Sequence, residues 1–142
     1  MFTFGRAREK KAEAGYVRDP DQVPLLTAVI DAVHDLVEGK GSEQQVSEAI
    51  SVAFSFGGAG VWECAGKWLR RAGGEYPAIV TLWDELARHP EAKVRFRVAA
   101  FLDEVPAAVF TALSPVLLED VSQKVRSMAE ARVQERQDDG AA

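Results

Sequence analysis

The sequence predicts an all-α protein in which antiparallel helical hairpins stack as a short solenoid. Three observations predict it. Apolar residues recur at spacings of three and four, the period of one helix face, rather than alternating. Glycine and proline cut the chain into helix-length segments with short links, which makes consecutive helices antiparallel neighbours. Residues 75–136 run through one two-helix pattern twice, and internal repetition on that scale marks stacked units.

The elements follow in order. Leu25, Leu26, Val29, Ile30, Val33, Leu36 and Val37 form one stripe, with Asp31, Asp35 and Glu38 on a charged face opposite. Gly39 and Gly41 stop that helix, and Ser42 with Gln45 three residues on is a capping box that starts the next. The second helix carries Val46, Ala49, Ile50, Ala53 and Phe54 and ends at Gly57-Gly58. A third holds Val61, Trp62, Ala65, Trp68 and Leu69 and is expected to end at Gly73-Gly74. Residues 75–88 make a helix with Ile79, Leu82, Trp83 and Leu86 inward. His89-Pro90 breaks the chain, and residues 91–104 follow with Val94, Val98, Phe101 and Leu102 inward. Pro106 opens a helix through Leu118, and Asp120 with Gln123 starts a last one through about Arg136.

Length and composition bound the function. The chain has 142 residues, 47% hydrophobic and 27% charged, which suits one globular domain. No apolar run approaches the ~20 residues of a membrane span, and residues 1–15 lack a secretory signal's apolar stretch, so a cytoplasmic location is expected. One cysteine, Cys64, excludes an internal disulfide framework. The net charge of -5 is unevenly spread, with five cations and two anions in residues 1–18 and 12 cations against 20 anions beyond. An acidic body argues against general duplex binding, which needs a dense cationic surface. The basic start, with Phe2 and Phe4 ahead of it, suits either a weak peripheral membrane contact or a polar first helix. The expected organisation is a basic segment, residues 1–19, helical or disordered, then one all-α domain, residues 20–136. Its clearer units are 75–104 and 106–136, and residues 137–142 are a flexible tail.

The repeat emerges when residues 82–102 are set against 113–133, an offset of 31 with six of 21 positions identical. Both segments place leucines four apart on one helix, then a break, then Lys-Val-Arg in the next. Leu113-x-Pro115-x-Leu117-Leu118-x-Asp120, followed by Val125-Arg126-x-x-Ala129, resembles the hairpin of HEAT-like helical repeats, in a short bacterial form. The resemblance implies a proline that bends the first helix, and an aspartate and arginine that tie neighbouring units by hydrogen bonds. Those roles fall on Pro115, Asp120 and Arg126. The earlier unit keeps Val94 and Arg95, but has Asp84 in place of the proline and His89 in place of the aspartate. Val94 and Val125 are expected inside each hairpin.

No constellation of catalytic type stands out. Asp31, His34 and Glu38 share one helix, yet no second Glu-x-x-His is present to complete a metal site, so a charged solvent face is the preferred reading. His89 reads as a turn residue. Cys64 has no local histidine and reads as a buried structural thiol. Phe56-Gly57-Gly58-Ala59-Gly60 lacks the Lys-Ser/Thr of a phosphate loop; it reads as a connection, or as a place where two backbones approach closely. Trp62, Trp68 and Trp83 sit at helical spacing and read as core. No cofactor and no metal are expected.

Cations supply the functional hint. In the family resembled, second helices line a concave face; Lys93, Arg97 and Lys124 would then project near one another, joined by Arg71, while Arg95 and Arg126 serve the links between units. Such a patch suits an acidic protein surface; the plain alternative is a solvated face balanced by neighbouring acids. The expected function is a non-catalytic module that binds one protein partner. Small acidic proteins with degenerate HEAT-like units include bacterial immunity proteins that block a toxin. A scaffold or adaptor subunit, and nucleic-acid binding by the same cations, are the alternatives.

Overall fold

A computed structural model describes residues 4–140; Phe2 and the last two residues of the expected tail lie outside the described residues. The described residues form eight α-helices, two short 3-10 turns and no strand. No helix among them is long and apolar enough to cross a membrane. The chain divides into two compact units, one ending at Val80 and the other beginning at Thr81, where the sequence suggested one domain from residue 20 onward.

In the first unit, α2 (Val23–Val37), α3 (Glu43–Phe56) and α4 (Val61–Glu75) each pack on the other two. Their apolar stripes meet in a dry core of Leu26, Val29, Ile30, Val33, Val46, Ile50, Phe54, Trp68 and Leu69, all fully buried. Each such side chain contributes about 1.5–3 kcal/mol on leaving water, so this trio carries most of the unit's stability. The boundary before α3 is set by the Ser42–Gln45 capping box, whose two bonds measure 3.1 and 3.0 Å. α4 runs through Gly73 and Gly74 to Glu75 instead of stopping at the glycine pair. Gly73 is there for space, since a Cβ would lie 3.0 Å from a Val80 methyl in the 3-10 turn Pro77–Val80 packed on α4.

Helix α1 (Arg6–Ala14) has no apolar stripe and is held on α2 by charge. Arg6 donates to Asp35 and Glu38, both at 2.8 Å, and Lys10 sits 3.2 Å from both Asp31 oxygens. Pairs as exposed as these add little to stability one by one and act together to position the helix. The charged face of α2 stays partly open to solvent, with the Asp31, Asp35 and Glu38 side chains 38%, 40% and 47% exposed, but Arg6 and Lys10 pair with it along one flank. Glu9 is buried beneath α1, with one carboxylate oxygen 3.6 Å from Arg71.

The second unit contains α5 (Thr81–Ala87), α6 (Ala92–Ala99), α7 (Ala107–Leu118) and α8 (Gln123–Gly140). α5 packs on α6 and α7, while α8 packs on α6 and α7. The core joins Trp83 and Phe101, whose rings lie 5.5 Å apart, to Leu102, Leu113 and Leu117. Val94 and Val125 are fully buried in it. α6 is shorter than residues 91–104; the chain leaves the helix after Ala99 and runs on in turns. The carbonyls freed there are taken by α8. Arg132 donates to Ala100 O at 3.0 Å, and Arg136 donates to Leu102 O and Val105 O at 2.8 and 2.7 Å. That grip, with the Arg136 guanidinium over the Phe110 ring, lies near the C-terminal end of α8, which continues to Gly140 where the sequence reading placed a flexible tail from residue 137. α7 continues through the exposed Pro115.

Candidate interaction surface

Two matching arginines organise the polar contacts of the second unit. Arg95 Nη1 donates to His89 O at 2.8 Å, and Arg126 Nη1 donates to Asp120 O at 2.6 Å. In each case an arginine reaches back six residues to close the break before its own helix. Arg95 does more. Its Nε and Nη2 donate to the two oxygens of Asp120 at 2.8 and 3.2 Å, joining the α5–α6 hairpin to the α7–α8 hairpin. Asp120 Oδ1 also accepts the Ser122 amide at 2.9 Å. Burial alone would raise the Asp120 pKa, but the Arg95 and Ser122 bonds and the Arg95 and Arg126 charges together hold it below its usual range.

With Arg95 and Arg126 occupied in this way, the remaining cations define the surface. Lys93, on α6, is half exposed and 3.8 Å from Glu91. Lys124 begins α8 and is exposed. The two lysines line one cavity of about 390 Å³ with Phe96. Lys124 and Phe96 also line an adjoining open cavity of about 680 Å³, together with Met128 and Ala131. The result is an apolar trough between α6 and α8 with lysines on its rim. Arg97 lies half-buried in the last turn of α6 and lines neither cavity.

Arg71 is not part of this surface. It belongs to the first unit, where its guanidinium stacks 4.1 Å over the Trp68 ring and approaches Glu9. The physical reason is local, because α1 brings a buried carboxylate to Arg71 and Trp68 offers it a ring face. The sequence reading missed Phe96 and Met128. Their signal is position, since each lies off the buried stripe, at 94 and 98 for α6 and at 125 and 129 for α8.

The other candidates resolve into structural roles. His34 is buried with its ring 6.3 Å from that of Trp68, and burial followed by the Arg6 charge pushes its pKa below 6.5. No group of three metal-ligating side chains is present among the described residues. His89 Nδ1 accepts the Glu91 amide at 3.0 Å, as a turn residue would. The glycine-rich link is a close backbone approach. Gly58 N–H donates to Gln22, Arg18 N–H donates to Ala59 O at 3.1 Å, and Gly60 N–H donates to Glu63 at 2.8 Å. Trp68 and Trp83 are core, whereas Trp62 is only half-buried.

Cys64 faces a cavity of about 410 Å³ lined also by Glu13, Tyr16 and Lys67. Burial, then the Glu13 charge and hydrogen bond, push the thiol up to about 12. Glu13 accepts the Trp68 indole N–H at 2.6 Å, and burial raises its pKa against that bond. The thiolate needed for nucleophilic attack is therefore scarce at neutral pH. Native protein at pH 8 is expected to react with a thiol reagent at least about a hundredfold more slowly than urea-unfolded protein. Comparable rates in the two states would contradict this placement.

No family model, curated protein or solved structure matches the chain.

Proposed function

We propose that the chain is a non-catalytic protein-interaction module, with its last four helices acting as two HEAT-like hairpins stacked as a short solenoid. It binds one protein partner through the α6–α8 trough, in the manner of a bacterial immunity protein that neutralises a toxin in the cytoplasm. The observation that carries this reading is the trough itself, in which Lys93 and Lys124 flank an apolar floor of Phe96 and Met128. Such a surface suits an acidic partner that also offers an apolar side chain, because aromatic floors supply affinity and rim charges steer the encounter. The paired Arg95 and Arg126 closures, and the Arg95–Asp120 link between hairpins, support a repeated unit. The acidic remainder of the chain favours a protein partner over nucleic acid.

The test is affinity capture from the source cell with wild-type protein and with the double variant Lys93→Glu/Lys124→Glu, read by mass spectrometry. Wild type is expected to enrich an acidic protein that the variant retains at least about tenfold less well. Equal enrichment by both proteins would place the binding surface elsewhere.

A further inference from the structure

The first unit carries a second groove of opposite charge, on the open side of α2 and α3. Its volume is about 400 Å³. Ala32 and Ala49 form its floor and the exposed Ala28 its mouth, and side chains that small let another helix come close. Val52 on its edge and Phe56 one turn further on are both exposed, at 42% and 71% of their surface. Apolar side chains of that size at i and i+4 make a ledge on the α3 side. Asp31, Asp35 and Glu48 stand on the rim. Glu48 meets only the neutral amide of Gln44, at 3.1 Å, and no cation among the described residues.

The chemistry of the occupant is written on the neighbouring flank of α2. There the same two aspartates already hold a basic helix, since Arg6 reaches Asp31 and Asp35 and Lys10 reaches Asp31. α1 achieves this with no apolar stripe of its own. A helix offering cations to this rim, and small or branched apolar side chains to the floor and ledge, would gain both charge pairing and burial. We propose that the α2–α3 groove docks a basic amphipathic helix of a protein partner. This surface is independent of the trough in the second unit, and the proposal stands whether or not that trough binds an acidic protein.

The experiment uses the full chain and a labelled synthetic helix about five turns long, with leucine and alanine on one face and lysine on the other. A peptide of identical composition in scrambled order is the control for charge alone. Fluorescence anisotropy at physiological salt is expected to show the amphipathic peptide binding at least about tenfold more tightly than the scrambled one. Ala28→Trp, which fills the exposed mouth of the groove, and Glu48→Lys should each weaken binding about tenfold. Glu85→Lys, the same charge change at an exposed position of the second unit, should leave it within about twofold. In wild type, the peptide should shift the amide resonances of residues 25–35 and 45–56, a readout that does not depend on any variant folding. Equal binding of the two peptides, an equal loss with Glu85→Lys, or shifts confined to other helices would overturn the proposal.

Discussion

Gly60→Ala is expected to lower stability by about 3–5 kcal/mol, the largest loss from any single methyl added to this chain. Gly60 has φ +88°, a left-handed conformation that alanine adopts only under strain. A Cβ there would overlap the Tyr16 carbonyl oxygen and lie 2.6 Å from the Tyr16 carbonyl carbon and 2.8 Å from Val17 Cα. Those atoms are backbone and cannot rotate aside. Relief requires moving the start of α4, which carries Trp68 and Leu69 into the core, or lifting the segment after α1. Gly74→Ala is the matched control. It sits in α4 with nothing near the new methyl, and alanine there should raise stability by about 0.5 kcal/mol. Urea denaturation followed by tryptophan fluorescence separates the two. A Gly60→Ala midpoint equal to wild type would contradict the packing of the glycine-rich link.

Arg95→Ala is expected to cost about 3 kcal/mol, because it leaves the Asp120 carboxylate buried without its charge partner. The Arg95 and Asp120 side chains are only 13% and 7% exposed, so water does little to compensate. The double variant Arg95→Ala/Asp120→Ala should recover part of that loss, since no orphan charge then remains. The pair also sets a pH dependence. The folded pKa of Asp120 lies below its ordinary value of 3.8, so the stability it supplies is complete above that value. It is lost as pH falls through the folded pKa. The advantage of wild type over Asp120→Asn should therefore be constant near neutrality and shrink below about pH 4. A difference that stays the same from pH 7 to pH 3 would mean that Asp120 is not held as a carboxylate by Arg95.

The all-α class and the main helices were legible because their signals are local. The Ser42–Gln45 box, the three-and-four spacing and the Pro106 start each act within a few residues of themselves. What the sequence hid depends on neighbours distant along the chain. His34 looks solvent-facing on its own helix, yet it is buried, with the Trp68 ring of α4 beside it. Gly73-Gly74 looks like a stop, yet Gly73 is needed where Val80 folds back. Arg71, Arg132 and Arg136 look like surface cations, but each finds a buried carboxylate or a set of freed carbonyls brought by another element. At the candidate surface the lysines are what the resemblance to HEAT-like repeats implies, whereas Phe96 and Met128 acquire meaning only once α6 and α8 lie side by side.

Compensating charge reversal tests most directly the proposal that the α6–α8 trough grips an acidic protein. Lys124→Glu should weaken the captured partner about tenfold by titration calorimetry, and changing the facing partner carboxylate to lysine should restore the affinity. An unchanged affinity for Lys124→Glu, or a loss that no partner carboxylate reversal repairs, would contradict it.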